Sequence, residues 1–166
     1  MPRRRESRQP RRVVERVDEG LRINLGDDEI GMLVRLLGEV RDLITSDDPA
    51  TAPLRRRLFP PAYHLEVDAE AEAEYQRFMR EDLVASRLEA ITAVEECLAA
   101  GQGAVMTPGQ VDGFVRSLNA VRLVLGTLLD VGEDHDPDEI DIDDPMFAEH
   151  QLYMFLSWLL EMTLSA

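Results

Sequence analysis

The sequence predicts a mainly α fold, a helical bundle of about four to five helices with a short N-terminal β-hairpin, and three observations point to it. Aromatic residues are 5% of the chain while 45% of it is apolar, mostly Leu, Val, Ala and Met, a mixture that suits helix packing better than a sheet sandwich. Several segments repeat apolar residues at steps of three and four, the spacing of one helix face. Only one stretch, near the start, alternates like a strand pair. At 166 residues the chain has the size of one domain with its own core.

Residues 1–12, MPRRRESRQPRR, carry no apolar pattern and two prolines, so burial cannot offset the entropy of ordering them. They are expected to be a disordered Arg-rich tail, with residues 13–166 forming a single helical domain. VVERV, the turn-like DEG and LRINL read as a β-hairpin, because Leu21, Ile23 and Leu25 alternate and Gly20 can supply a positive φ. Ile30, Leu33, Leu37, Val40 and Ile44 then line the first helix, with Asp27 or Asp28 as its N-cap. TSDDPATAP, with two prolines and small polar residues, reads as a loop.

Asp68 to Ala100 reads as one long helix or two shorter ones, with Val84, Leu88, Ile91, Val94 and Leu98 as the clearer stripe and Gly101 as the stop. Thr107, Pro108 and Gln110 make a capping-box pattern for a helix striped by Val111, Phe114, Leu118, Val121, Leu125 and Leu128, expected to pack on its predecessor. An acidic loop, 131–145, follows. Asp144 is the expected cap and Pro145 the first residue of a last helix striped by Leu152, Phe155, Leu159 and Met162 and widened by Leu156, Trp158 and Leu160. A helix apolar on so many sides is expected at the centre of the bundle.

Cys97 is the single cysteine, so no disulfide closes within the chain, and the starting arginines have no apolar run behind them as an export signal would. A reducing cytoplasm fits both. The most apolar run, Leu152 to Leu164, includes Glu161 and falls short of the ~20 residues of a membrane span, so it reads as a core helix. The net charge of −15 is uneven: residues 1–16 hold seven Arg against two Glu, and residues 133–144, EDHDPDEIDIDD, hold eight acids and no Arg. So acidic a body repels nucleic acid at long range, and DNA contact would need a local Arg cluster or a partner protein.

Within the acidic stretch Asp134, Asp136 and Asp138 have the rhythm of a calcium loop, but Glu139 stands where a turn glycine belongs and Pro145 where a bidentate Glu belongs. A solvated loop, at most loosely attracted to the basic tail or to Arg55, Arg56 and Arg57, explains it better. None of His64, His135 and His150 sits in a Glu-x-x-His, HExxH or CxxC pattern, and GQGAVM has Met106 where a dinucleotide loop needs its last glycine. No metal, cofactor or catalytic residue is assigned, so the chain reads as a non-enzyme. Cys97 is the candidate redox residue, with Glu95 and Glu96 expected to raise its pKa and blunt it. Arg55, Arg56 and Arg57, available with the Arg tail to touch acidic partners, are candidate interaction residues, as are Arg116, Asn119 and Arg122 on the helix after Gly103, where a helix-turn-helix would place its recognition helix. Asp112 on the same helix and the acidic body argue against autonomous DNA binding.

Three segments together carry a further signal: RRRLFPPAYHLEVDAEAEAEYQRFMREDL at 55–83, LNAVRLVLGTLL at 118–129 and YMFLSWLLEMTL at 153–164. Their overall pattern resembles an actinobacterial family of unknown-function domains, encoded beside the ClpS protease adaptor, whose members are described as AosR-type oxidative-stress transcriptional regulators. In such terms Leu58, Phe59, Pro60, Tyr63, Leu118, Leu125, Gly126 and Trp158 look fold-defining, and Phe114 stands where a tryptophan is usual. Pro60 and Pro61 should end any preceding helix, and Phe59 and Tyr63 should pin that turn. The resemblance implies regulation of transcription in oxidative stress by protein contact with a sigma factor or RNA polymerase. One thiol cannot form an internal disulfide switch. A metal-dependent hydrolase using Asp and Glu clusters and a partner of the ClpS adaptor are the alternatives, and a homodimer is compatible with each.

Overall fold

The computed structural model describes residues 12–60, 69–132 and 140–166. The readings of the tail, of Tyr63 and His64, and of most of the acidic loop, His135 included, lie outside the described residues. The expected hairpin is present: β1 (Val14–Val17) pairs antiparallel with β2 (Gly20–Ile23), Val14 opposite Ile23 and Val17 opposite Gly20. Val14, Leu21, Ile23 and Leu25 turn inward and are buried. Gly20 has φ +145, and a Cβ there would lie 2.0 Å from the Met106 carbonyl oxygen, so the position requires glycine on two counts.

The sequence reading missed a third strand. β3 (Ala104–Met106) adds to β2 on the side away from β1, with Leu21 opposite Met106, in the GQGAVM stretch where the sequence offers only Gly101 as a helix stop and a failed dinucleotide loop. Three residues are too few to show a strand period. What secures them is the partner strand: the Gly103 N–H donates to the Ile23 carbonyl at 2.9 Å, and Met106 is fully buried.

α1 (Asp27–Thr45) buries Leu33, Leu37, Val40 and Ile44 as expected, but its N-cap is Gly26 rather than Asp27 or Asp28. The Glu29 carboxylate reaches back to accept from the Gly26 N–H at 2.6 Å, leaving Asp27, Asp28 and Glu29 in the first turn, where the positive end of the helix dipole favours them. The proline segment read as a loop is largely helical: a 3₁₀ turn (Pro49–Thr51) runs into α2 (Ala52–Leu58). Pro49 and Pro53 each sit in an opening turn, where the missing N–H would have had no helical partner. α2 stops ahead of Pro60, as the two prolines require.

α3 (Ala69–Leu98) is one continuous helix that buries Ile91, Val94 and Leu98, and Gly101, with φ +82, ends the segment. α4 (Pro108–Leu128) opens with the predicted box: Thr107 Oγ1 accepts from the Gln110 N–H, and Gln110 Oε1 accepts from the Thr107 N–H. α4, not the last helix, is central. It packs against α1, α2, α3, α5 and the sheet, and buries Phe114, Leu118, Val121 and Leu125, while the last residue of its expected stripe, Leu128, is exposed. Small residues let neighbours close in on several sides: Gly113 meets Ala90 and Val94 of α3, and a Cβ on Gly126 would stand 3.1 Å from the Tyr153 ring of α5.

α5 (Phe147–Ser165) starts two residues later than expected. Asp144 caps the turn before it, its Oδ1 accepting from the Met146 N–H at 2.7 Å. It packs principally on α4 and buries only Leu156, Leu159 and Thr163, leaving Trp158 and Met162 at 41% and 36% exposure. The expectation of a central last helix fails because an all-round apolar sequence describes a helix awaiting a second neighbour as well as one already surrounded.

Candidate interaction surface

α2 lies across α4, with Leu58 almost fully buried and the Arg57 Nε donating to Thr127 Oγ1 at 3.2 Å. Its C-terminal end is fastened by a residue of α3. Arg87 donates from Nη2 to the Leu58 carbonyl at 2.7 Å, and its guanidinium stands 4.9 Å from the centre of the Phe59 ring. The cation thus satisfies a helix-terminal carbonyl, opposes the negative end of the α2 dipole and covers an aromatic face. Phe59 does pin the turn, and Arg87 holds it down.

Burial, and after it the positive charge of Arg116, lowers the Arg87 pKa from its ordinary value, although a guanidinium stays protonated throughout the physiological range. Both arginines line a cavity of about 30 Å³ with Ser86 and Ser117, room for a water or two. Exposed Arg116 pairs with Asp112 one turn earlier. No carboxylate among the described residues pairs with Arg87. Arg56 and Arg57 are exposed; Arg55 is half-buried, its Nη1 without a hydrogen-bond partner among the described residues. Arg55, Arg56 and Arg57 occupy the last turn of α2, Arg87 fastens that end and Arg116 shares the cavity with Arg87; these five positions are the basic band at the junction of α2, α3 and α4.

The structure splits the three candidates on α4. Asn119 and Arg122 do share a face, with Arg122 Nη2 donating to Asn119 Oδ1 at 3.5 Å, but Arg122 looks toward α5, its guanidinium 5.9 Å from the Tyr153 ring. Arg116 lies on the α3 side. Six residues at about 100° each place Arg116 and Arg122 on different faces, so no single recognition surface unites them. Arg87 is the residue that sequence reasoning missed: among the arginines of a long polar helix nothing marks it until Leu58 and Phe59 are seen against it. Of the family-like positions, Leu58, Leu118 and Leu125 are core, Gly126 admits Tyr153, Pro60 is exposed and Trp158 is exposed.

Cys97 is 9% exposed and its thiol donates to the Val105 carbonyl at 3.6 Å, tying the end of α3 to β3. Burial raises its pKa. The expected cause, neighbouring carboxylates, is not the operative one: the Glu95 carboxylate is taken up by Arg41, and Glu96 is exposed. A thiol whose folded pKa is raised contributes stability that is whole below the unfolded thiol range and is lost as pH rises through the folded value. Unfolding free energy should therefore fall as pH climbs past about 8.5. Cys97→Ala should remove that component of the slope, as denaturant titrations across pH 7 to 10.5 would show; an identical slope would contradict it.

Among the described residues no three His, Cys, Asp or Glu side chains converge as a metal site, and no helix is long and apolar enough to cross a membrane. Fold and surface define an acidic, mainly helical protein with a localised basic band. The chain belongs to the family described as a domain of unknown function, DUF2017, whose model matches residues 9–166. No curated protein and no solved structure matches it.

Proposed function

We propose that the protein is a non-enzymatic, cytoplasmic regulator of transcription in the oxidative-stress response, acting by protein contact with a sigma factor or RNA polymerase. The sequence resemblance to AosR-type regulators supports the oxidative-stress setting. The observation that carries the reading is the placing of five arginines on the last turn of α2 and beside it on α3 and α4, in a chain whose net charge is −15. Planar, permanently charged forks suit bidentate recognition of carboxylates, so the band fits an acidic protein surface. The same net charge repels a nucleic-acid backbone, which leaves a protein as the better target. With the one thiol buried, a signal carried by thiol oxidation has to arrive through the partner or through an opening between α3 and β3.

Arg56→Glu with Arg57→Glu tests this, since both side chains are exposed and their loss costs little packing. Pull-downs before and after peroxide should recover transcription machinery with the wild type and at least about tenfold less with the double variant, a loss of ~1.4 kcal/mol or more. The melting temperature should stay within a few degrees. Equal recovery by both, or none by the wild type, would contradict the proposal.

A further inference from the structure

The most apolar helix has one principal neighbour, and its outer face has a shape that matters. Along α5, Met154, Trp158 and Met162 step by four and form a ridge, and Ser157, Glu161 and Ser165 form the adjacent, lower row. Trp158 lines two open grooves at once. One, between α5 and β1, is bordered by Arg12, Val13, Glu15, Arg16 and Met162; the other, beside the end of α4, by Arg122, Tyr153, Ser157 and Glu161. The β1 groove is closed at its far end where Arg16 Nε donates to the Ala166 carbonyl at 2.7 Å.

We infer that this face binds a second copy of the chain, α5 crossing α5 of the partner about a two-fold axis close to Trp158. The argument is self-complementarity, the condition an isologous interface must meet. The ridge is symmetric about Trp158, so a two-fold axis there sets Met154 of one copy opposite Met162 of the other. At the axis Trp158 of one copy then meets Trp158 of the other, and the two apolar ridges cover each other along their length. Charge follows the same symmetry. Arg122 stands beside Tyr153, toward the start of α5, and Glu161 lies toward its end, so an antiparallel crossing brings Glu161 of each copy toward Arg122 of the other. A stable interface needs about 800 Å² per partner, a patch about 28 Å across. α5 alone is 19 residues, about 28 Å long, and the two grooves extend it sideways. On a molecule of net charge −15, Glu161 is the single acid of the ridge and its flanking row, and Arg12 and Arg16 flank Glu15 in the β1 groove, so opposed copies meet little like charge there. This surface is separate from the basic band, so either proposal can fail without the other.

Sedimentation velocity on the full chain reads the outcome directly. The mass should be twice 18.8 kDa at micromolar concentration and above. Trp158 is the only tryptophan, so its emission should move to longer wavelength as dilution separates the copies. Trp158→Glu, at a side chain already 41% exposed, should give a folded monomer with unchanged far-UV circular dichroism. Glu161→Arg should weaken the dimer at least about tenfold, and adding Arg122→Glu should restore most of the loss. A mass of 18.8 kDa up to roughly 100 μM, a dimer that survives Trp158→Glu, or a monomer that engages a different protein through this face would each overturn the inference.

Discussion

Phe114→Ala should lower the unfolding free energy by about 3–5 kcal/mol and the melting temperature by roughly 10 °C. Phe114 is 1% exposed in the middle of α4, the helix against which every other layer of the fold packs. Deleting the ring opens a cavity that the two ends of α4, fixed by the Thr107 capping box and by the Gly126–Tyr153 contact, cannot collapse to fill. Phe114→Trp overfills the same site and should cost about 1–3 kcal/mol. A loss under about 1 kcal/mol on truncation would mean that α4 is not the centre. Chemical denaturation of both variants decides between these outcomes.

Gly20→Ala should cost about 2–4 kcal/mol, from the strain of φ +145 on a residue with a Cβ and from the overlap with the Met106 carbonyl at 2.0 Å. Backbone oxygen cannot swing aside as a side chain would, so the relief available is separation of β3 from β2. Hydrogen exchange should therefore quicken at Ala104–Met106 before it changes in α4. Gly31→Ala is the matched control. That glycine is exposed within α1 with open space where a Cβ would go, so the change should stabilise by about 0.5–1 kcal/mol. Equal effects at the two positions would contradict the described sheet.

Helices whose own residues carry the signal were legible in the sequence. α1 and α4 repeat their apolar residues over about four and five turns, and Thr107, Pro108 and Gln110 announce the start of α4 before any tertiary contact exists. The hairpin was legible for the same local reason. β3 was not, because three residues become a strand only through β2, and α2 was not, because two prolines in opening turns resemble two prolines in a loop. The place of α5 was misjudged because hydrophobicity records how much surface wants cover, not whether this chain supplies it. The basic band was half legible: Arg55, Arg56 and Arg57 are adjacent in sequence, whereas Arg87 and Arg116 join them only when α3 and α4 fold against α2.

Carboxylate-directed crosslinking in cells, read by mass spectrometry with and without peroxide, tests the proposed contact most directly, and the chemistry suits a chain with no lysine. If the basic band is the contact surface, Asp48 before α2 and Asp112 beside Arg116 should crosslink to a sigma factor or an RNA polymerase subunit, and those products should vanish in the Arg56→Glu, Arg57→Glu variant. Crosslinks to transcription proteins that persist unchanged in that variant, or none from either aspartate under both conditions, would contradict it.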